Sequence, residues 1–378
     1  MKKISLFLSA LLISATVAAQ QTLNGDGYYR VRNLGSGRYC YVTDNHGKVY
    51  TSSSSVDVNA IELWKDFDKA VSDPSTIIYI KKVGSEYDLQ AQGTGTNSLI
   101  GYYVQLPYIS KAKAYKCGGK QSGFMKYLCD GETRNFQKGY MMDGMKGLEA
   151  EYTYWNIIPM DASKDDSYFG VKPDVVAEGT YYKSMYASFP FKLYSSGMKA
   201  FYISRVSNGM AVMQEAVNGM VAADTPIIIA CSSASPSDNR LDIAANSASK
   251  PADNKLSGNY FMREEAVTSI HRNLKPFDSK TMRLLGTTKE GKLGFIIPEG
   301  VQYVPANSAY LKVAEGSPEE IAVVTEEEFA AGIDDITVDQ NADSAVYNLN
   351  GVRVASGKEA FNSLPAGIYI INGKKIVK

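Results

Sequence analysis

Residues 29–41 of this chain read YRVRNLGSGRYCY. Tyrosine and valine alternate with polar residues on both sides of a glycine-rich centre, and this pattern predicts two strands joined by a tight turn. The composition extends the pattern to the whole chain, because 26 tyrosines with 32 glycines and 13 prolines favour short strands and turns over long helices. We therefore expect a mainly β protein, with one short amphipathic helix between residues 59 and 72.

Length and charge limit the organisation of the chain. Its 378 residues are more than one hydrophobic core usually organises, so we expect two substantial domains and a small third one. The 40 basic and 40 acidic residues cancel, which leaves no net field to attract a polyanion. Nucleic acid is therefore not an expected partner.

The first 19 residues have the features of a secretory signal peptide. Lys2 and Lys3 supply a positive start, residues 4–17 form an uncharged apolar run, and small residues precede a predicted cleavage site between Ala19 and Gln20. No later segment approaches the roughly 20 apolar residues that a spanning helix needs. We therefore expect an exported protein with no transmembrane segment in the mature chain.

The strand–turn–strand at residues 29–41 has a counterpart at residues 154–159, which read YWNIIP. Together the two stretches resemble the first and last strands of a ricin-type β-trefoil, and residues 26–160 have a length that suits three trefoil repeats. The resemblance implies a lectin-like, carbohydrate-binding domain. Ricin-type sugar sites use a Gln-x-Trp signature, and its nearest counterparts here end at Trp64 and Trp155.

Residues 179–313 carry a second series of predicted strands, at 181–189, 198–206 and 226–230 among others. Their order resembles a β-sandwich module that recurs in secreted Bacteroidetes proteins, which implies a β-sandwich-like domain and an extracellular location. Residues 314–332 are acidic and are expected to form a linker. Within this linker, Thr325 followed by Glu328 has the spacing of a capping box and predicts one short helix.

The last segment, residues 333–378, contains two predicted hairpins. Asn350-Gly351 and Asn372-Gly373 are turn sequences of the kind that suits right-twisted strands. With its Gly367-Ile368-Tyr369 core and basic final strand, the segment resembles the type A C-terminal sorting domain of the type IX (Por) secretion system. The resemblance implies that the secretion machinery is a partner and that the protein is secreted or displayed on the outer-membrane surface. An ordinary terminal pair of hairpins is the alternative.

The sequence contains no convincing catalytic, cofactor or metal site. Its two histidines, His46 and His271, lack flanking catalytic signatures, and the four cysteines lack the Cys-x-x-Cys spacing of a zinc site. Cys117 and Cys129 enclose a glycine-rich loop and are a possible disulfide pair. Cys40 and Cys231 lie in apolar, strand-like runs, and we expect them to be buried free thiols.

Surface recognition is the function that the residue types favour. Tyrosine and tryptophan combine a flat apolar face with a polar edge, which allows them to stack on sugar rings. Trp64, Tyr102 and Tyr103 are the candidate ligand-binding residues, although core packing is the alternative for each. We expect a non-enzymatic, secreted or cell-surface protein that binds a glycan or a host or cell-surface ligand. The alternatives are a secreted hydrolase or peptidase with a non-sequential active site, and a structural component of a surface assembly.

Overall fold

The computed structural model confirms a mainly β protein, in which short strands outnumber three short helices within the described part of the chain. The described residues are 23, 26–42, 61–64, 67–91, 103–121, 124–130, 139–143, 150–244, 247–260, 275–331, 345–349, 351–356, 358–371 and 374–378. Within them the chain forms three β regions, at residues 27–159, 169–324 and 345–377.

The first region contains eleven described strands in two sheets. They are β1 (Gly27–Asn33), β2 (Tyr39–Val42), β3 (Ile61–Trp64), β4 (Ile77–Val83), β5 (Glu86–Gln90), β6 (Tyr108–Ile109), β7 (Ala114–Lys116), β8 (Gly118–Gln121), β9 (Phe124–Asp130), β10 (Gly139–Asp143) and β11 (Tyr154–Pro159). Strands β8, β9 and β10 form a three-stranded sheet and the other eight form a second sheet.

The predicted strand–turn–strand at the start of this region is confirmed. Arg32 of β1 pairs with Tyr39 of β2, and the Asn33 amide donates to the Arg38 carbonyl over 2.8 Å to close the turn. Strand β11 runs antiparallel to β1 with five residue pairs in register. Trp155 on β11 is fully buried in the core of the region and donates from Nε1 to the Leu128 carbonyl over 3.1 Å. The trefoil assignment itself stays a prediction.

The helix expected between residues 59 and 72 is shorter than predicted. Among the described residues of this range, α1 (Phe67–Ala70) is helical and residues 61–64 form β3. The apolar residues of β3 have an available partner, because β3 pairs with all four residues of β2. Cross-strand pairing therefore prevails over the helical spacing of the apolar residues.

The second region contains fourteen described strands. They are β12 (Phe169–Gly170), β13 (Val175–Ala177), β14 (Thr180–Met185), β15 (Phe191–Leu193), β16 (Lys199–Ser207), β17 (Met210–Glu215), β18 (Met220–Val221), β19 (Ile227–Cys231), β20 (Arg240–Ile243), β21 (Leu256–Asn259), β22 (Met282–Thr287), β23 (Leu293–Ile296), β24 (Ser308–Lys312) and β25 (Glu320–Val324). Four of them form a small sheet in the order β12-β20-β15-β18, and the other ten form a large one.

These two sheets share a hydrophobic core. Phe169, Phe191 and Leu241 of the small sheet pack with Ile227 and Ile229 of the large sheet. Strand β19 is buried along its whole length, since the second face of the large sheet covers a further core around Ile228 and Phe295. The arrangement is that of two packed β layers.

The segment expected to be an acidic linker is structured. Strand β25 lies inside the large sheet, between β17 and β23, and helix α2 (Glu326–Ala331) follows it. The capping box is present, because the Thr325 amide donates to Glu328 over 2.7 Å and the Glu328 amide donates to the Thr325 hydroxyl over 3.2 Å. This part of the acidic segment joins the sheet because β25 pairs with β17 at three residue positions.

The third region is a four-stranded sheet in the order β27-β26-β28-β29. Its elements are β26 (Ala345–Asn348), β27 (Arg353–Ser356), α3 (Lys358–Asn362), β28 (Ile368–Ile371) and β29 (Lys374–Val377). A small core around Val346, Phe361 and Tyr369 holds the helix against the sheet. Lys378 pairs its backbone with Gly367 in both directions and so fixes the last strand.

The first and second regions are packed directly against each other. Ile77, at the start of β4, is buried in the core that the two layers of the second region share. The Arg30 guanidinium donates from Nη1 to the Tyr168 carbonyl over 3.2 Å, and the Gly170 amide donates to the Val71 carbonyl over 3.0 Å. A groove between these two regions can therefore keep a defined shape.

Within the described residues, none of the helices is long and apolar enough to span a bilayer. The domain boundaries predicted from sequence stay predictions.

Candidate functional site: a tyrosine-lined cleft

A cavity of about 620 Å³ opens where the first region meets the second. We name it the tyrosine cleft, since four tyrosines line it. One wall belongs to the first region and consists of Tyr28, Ile77, Tyr79, Gln90 and Ala91. The other wall belongs to the second region and consists of Tyr186, Ser188, Phe189, Asp224, Lys250 and Tyr260.

A pair of stacked rings forms the centre of the second wall. The rings of Tyr186 and Tyr260 lie 4.2 Å apart between centroids, with an interplanar angle of 28°. Gly258, on β21, makes this stack possible because a Cβ atom at that position would lie 2.3 Å from atoms of the Tyr186 ring. The stack is therefore built on a backbone position that accepts only glycine without movement of the ring.

Asp224 anchors the stack to the wall. Its carboxylate accepts a hydrogen bond from the Tyr260 hydroxyl through Oδ1, while Lys250 places Nζ 3.5 Å from Oδ2. Burial, reinforced by the bond to Asp224, holds the pKa of Tyr260 well above its usual range. The Tyr260 phenol is therefore a fixed, neutral donor, and the Asp224 carboxylate is engaged on both of its oxygens.

The first wall carries a second aromatic pair. The rings of Tyr28 and Tyr79 lie 4.9 Å apart, tilted by 42°, and Tyr28 also meets Phe189 edge-on at 6.3 Å. The Tyr79 hydroxyl donates to Asp26 over 3.2 Å, which fixes the orientation of the ring. Burial, with smaller contributions from Tyr79 and Asp224, raises the pKa of Tyr28 to about 12. Burial also raises the pKa of Tyr79, so both phenols of this wall stay protonated at neutral pH.

A hydrogen bond between Asn307 and Asp73 joins the two regions that form the tyrosine cleft. Asn307 donates from Nδ2 to the Asp73 carboxylate over 3.1 Å. The backbone of Asn307 bonds to both stacked tyrosines, since its amide donates to the Tyr260 carbonyl over 3.2 Å and its carbonyl accepts from the Tyr186 amide over 2.9 Å. Asp73 also caps the turn after it by accepting from the Ser75 amide over 2.8 Å. The position of the stack thus depends on a residue of the other region.

No protein-family model matches this sequence, and no curated protein matches it either. The residues that line the tyrosine cleft supply flat apolar faces, phenol hydroxyls and an adjacent carboxylate and ammonium. In the described part of the chain no group of three or more histidine, cysteine, aspartate or glutamate side chains is placed to hold a metal ion.

Of the residues proposed from sequence as ligand-binding, Tyr103 is fully described, and it is not among the lining residues of the tyrosine cleft. Tyr103 is half-buried and precedes the short bridge that Val104 makes with Tyr87. Tyr102 lies outside the described residues, as do Ala19 and Gln20 of the predicted cleavage site. Trp64 ends β3, and its side chain is not among those described.

Cys117 and Cys129 are both buried. The Leu128 amide donates to the Cys117 carbonyl over 2.9 Å, so Cys129 lies one residue beyond the register partner of Cys117. Burial raises the pKa of Cys117 to about 12. The disulfide between these two cysteines stays a prediction. Cys40 and Cys231 are buried as expected.

The tyrosines of the cleft come from four segments that are far apart in sequence. Tyr28 and Tyr79 lie on neighbouring strands of the first sheet, where they are register partners. Tyr186 follows β14 and Tyr260 follows β21, and these two strands are not hydrogen-bonded to each other. A sequence pattern reports neighbours along the chain, so the sequence analysis did not bring these four tyrosines together.

Proposed function

We propose that this protein is a secreted or cell-surface, non-enzymatic protein that binds glycans in the tyrosine cleft. The observation that carries the proposal is the facing of two aromatic walls across a cavity of about 620 Å³, with a fixed donor and acceptor beside them. That volume lies within the range of roughly 300–1,000 Å³ that is typical of small-ligand sites.

The aromatic walls suit the apolar faces of sugar rings. A pyranose presents C–H groups on its faces and hydroxyls around its edge, and tyrosine offers a flat apolar surface with a polar rim. Tyr79 is held by Asp26, and Tyr260 is held by Asp224. Rings that are already oriented lose little conformational entropy when a ligand binds, which favours affinity.

The polar groups favour binding over hydrolysis. Glycoside hydrolysis uses two carboxyl groups about 5 to 9.5 Å apart, one of them free to exchange a proton. Among the described lining residues, Asp224 supplies the carboxylate. This carboxylate accepts a hydrogen bond from Tyr260 and forms an ion pair with Lys250. These contacts make Asp224 a structural and recognition group.

The proposed location rests on the two ends of the sequence. Residues 1–19 have the charge, apolar run and small residues of a signal peptide. Residues 333–378 resemble a type A sorting domain of the type IX secretion system, with the secretion machinery as the proposed partner. A glycan ligand on a host or cell surface is consistent with such a location.

A glycan array probed with the mature chain, residues 20–378, tests the binding function. We expect reproducible binding to at least one glycan class, and we expect Tyr79→Ala to weaken it at least about tenfold. The matched control is Tyr194→Ala, because Tyr194 is 53 % exposed and is not among the lining residues of the cleft. An array on which the wild-type chain binds no glycan would refute the proposal.

The proposed location has a separate test. Deletion of the residues after Gly332 should trap the protein in the periplasm of its native host, while the full chain reaches the surface or the medium. Cell fractionation with an antibody against the first region provides the measurement. Normal surface delivery of the truncated chain would refute the proposed role of the C-terminal segment.

A structural role in a surface assembly is the second candidate function. It is favoured by the number of large apolar side chains that the third region exposes, namely Tyr347, Leu349, Val352, Val354 and Val377. Exposed apolar side chains of this kind mark interaction surfaces when they are contiguous. Sedimentation velocity would show concentration-dependent oligomers if the candidate is correct, and a monomer at all concentrations would exclude self-assembly.

A further inference from the structure

The ion pair between Asp224 and Lys250 lies in the wall of the tyrosine cleft. The Lys250 Nζ atom is 3.5 Å from Asp224 Oδ2, and the two side chains are 56 % and 44 % exposed. Both groups therefore reach the space that a ligand would occupy. An exposed pair of this kind contributes little to stability. A carboxylate has about four lone-pair sites and an ammonium has three donors, so both groups can bond to a ligand in addition to their present partners.

The carboxylate of this pair cannot move aside easily. The Tyr260 hydroxyl donates to Oδ1, and the backbone amide of Asp224 donates to the Ala187 carbonyl over 2.8 Å. The backbone of Asp224 is also in the left-handed region, with φ of 54°. Aspartate tolerates this conformation better than most residues. The negative charge is consequently fixed beside the aromatic rings.

The pair presents a donor and an acceptor side by side. An ammonium donates and a carboxylate accepts, whereas each sugar hydroxyl can do both. Two adjacent hydroxyls of one ring can therefore accept from Lys250 and donate to Asp224 at the same time. Hydrogen bonds to charged partners are stronger than neutral ones, so this arrangement gives a hydroxyl-rich ligand a specific anchor.

The same pair disfavours a ligand that carries its own carboxylate. The charge of Lys250 is already compensated by Asp224, so a uronic or sialic acid group would gain little from it. The acid group would also lose hydration and lie beside a fixed like charge, and like-charge juxtaposition is a principal means of excluding wrong partners.

We infer that Asp224 and Lys250 are a specificity-determining pair, which selects neutral glycans with adjacent free hydroxyls and excludes glycans that carry a carboxylate. The inference rests on the proposed function, since it describes which glycans the tyrosine cleft accepts. Asp224 and Lys250 act here as binding groups and take part in no reaction.

The test compares sugars that differ only at the sixth carbon. The mature chain is titrated with galacto-, gluco- and manno-oligosaccharides and with the matching galacturonate, glucuronate and mannuronate oligomers, and dissociation constants are measured by biolayer interferometry at low ionic strength. We expect the wild-type chain to prefer the neutral member of the bound series by about tenfold or more, as one like-charge contact can impose.

Two variants assign the preference to the pair. Asp224→Asn keeps an acceptor for Tyr260 but leaves Lys250 uncompensated, so the preference for the neutral sugar should disappear or reverse. Lys250→Met leaves Asp224 unpaired and should increase the preference. Asp174→Asn is the control, because it removes an acid that is 57 % exposed from an ion pair of 2.6 Å with Lys183, and neither residue is among the cleft lining.

The outcomes separate this inference from the function on which it rests. Equal binding of neutral and uronic oligomers by the wild-type chain would overturn the inference and leave glycan binding intact, and so would an unchanged preference in Asp224→Asn. Failure of the proposed function is a different result, in which the wild-type chain binds no oligomer of either kind and no other glycan on the array.

Discussion

Asn307 donates a hydrogen bond to the Asp73 carboxylate over 3.1 Å, and this contact joins the two regions whose surfaces form the tyrosine cleft. Asp73 is half-buried, and desolvation is the main reason that its pKa lies above the usual range. Hydrogen bonds from Ser75 act in the opposite direction. A carboxylate is thus held at the junction at some cost to stability.

The cost at Asp73 predicts a pH dependence. A carboxyl group with a raised pKa in the folded state favours folding while it is protonated, and that contribution is lost as pH rises from the unfolded value of 3.8 through the folded value. Asp73→Asn removes this loss. We expect the free energy of unfolding of the variant minus that of wild type to increase between pH 4 and pH 7. Urea denaturation at the two pH values measures it, and a relative change in the opposite direction would contradict the assignment.

Gly258 is expected to be essential for the shape of the cleft. In Gly258→Ala the new methyl group would lie within 2.3 Å of the Tyr186 ring, so the ring must leave its place against Tyr260. We expect glycan affinity to fall at least about tenfold, equivalent to about 1.4 kcal/mol, while the far-ultraviolet circular dichroism stays unchanged. Gly367→Ala is the matched control, since its Cβ would make only ordinary contacts of 3.4 Å or more. Equal affinity of Gly258→Ala and wild type would show that the Tyr186–Tyr260 stack does not contribute to binding.

Removal of Arg38 is expected to destabilise the first region strongly, because it leaves the buried Asp130 without its charged partner. Asp130 is fully buried, and it accepts from Arg38 Nε over 3.0 Å and from Nη2 of the same guanidinium. Arg38→Met removes the positive charge that faces a buried carboxylate, which typically costs about 3–5 kcal/mol. Chemical denaturation measures the loss.

The control for this prediction is Lys289→Met. Lys289 is 81 % exposed and faces Glu319 and Glu320 at 3.9 and 3.8 Å, so its replacement should change stability by less than about 0.5 kcal/mol. A similar small effect at Arg38 would mean that Asp130 is not dependent on its guanidinium partner.

Cys231 is expected to react slowly in the folded protein. Burial raises the pKa of its thiol from 9.0 to about 12, which leaves roughly a thousandfold less thiolate than in the unfolded chain near neutral pH. Mass spectrometry after alkylation at pH 8 should find Cys231 unmodified in the native protein and modified in urea.

Since the folded pKa of Cys231 is raised, the contribution of this thiol to stability is present below pH 9 and is lost as pH rises toward 12. Cys231→Ala should therefore lose less stability than wild type between pH 9 and pH 11, and an equal loss would contradict the shift.

Local patterns in the sequence predicted the local structure well where the chain pairs with its own neighbours. The turn between β1 and β2 and the capping box of Thr325 and Glu328 are confirmed, because each depends on residues a few positions apart. The helix expected at residues 59–72 was wrong at residues 61–64, because these residues pair with β2 and a local pattern does not reveal that pairing. The cleft was missed for the same reason. Tyr260 meets Asp224 across 36 positions, and the Asp73–Asn307 contact joins residues 234 positions apart.

Glycan binding in the tyrosine cleft is tested most directly by isothermal titration calorimetry with the glycan that the wild-type chain binds most strongly on the array. Wild-type protein, Tyr79→Ala and Tyr103→Ala are compared at equal concentration, because Tyr79 lines the cleft and Tyr103 was the alternative from sequence. We predict one binding site per chain, a loss of affinity of at least about tenfold in Tyr79→Ala, as truncation of a central aromatic anchor produces, and wild-type affinity in Tyr103→Ala. Unchanged affinity in Tyr79→Ala together with loss of binding in Tyr103→Ala would place the glycan elsewhere and contradict the account.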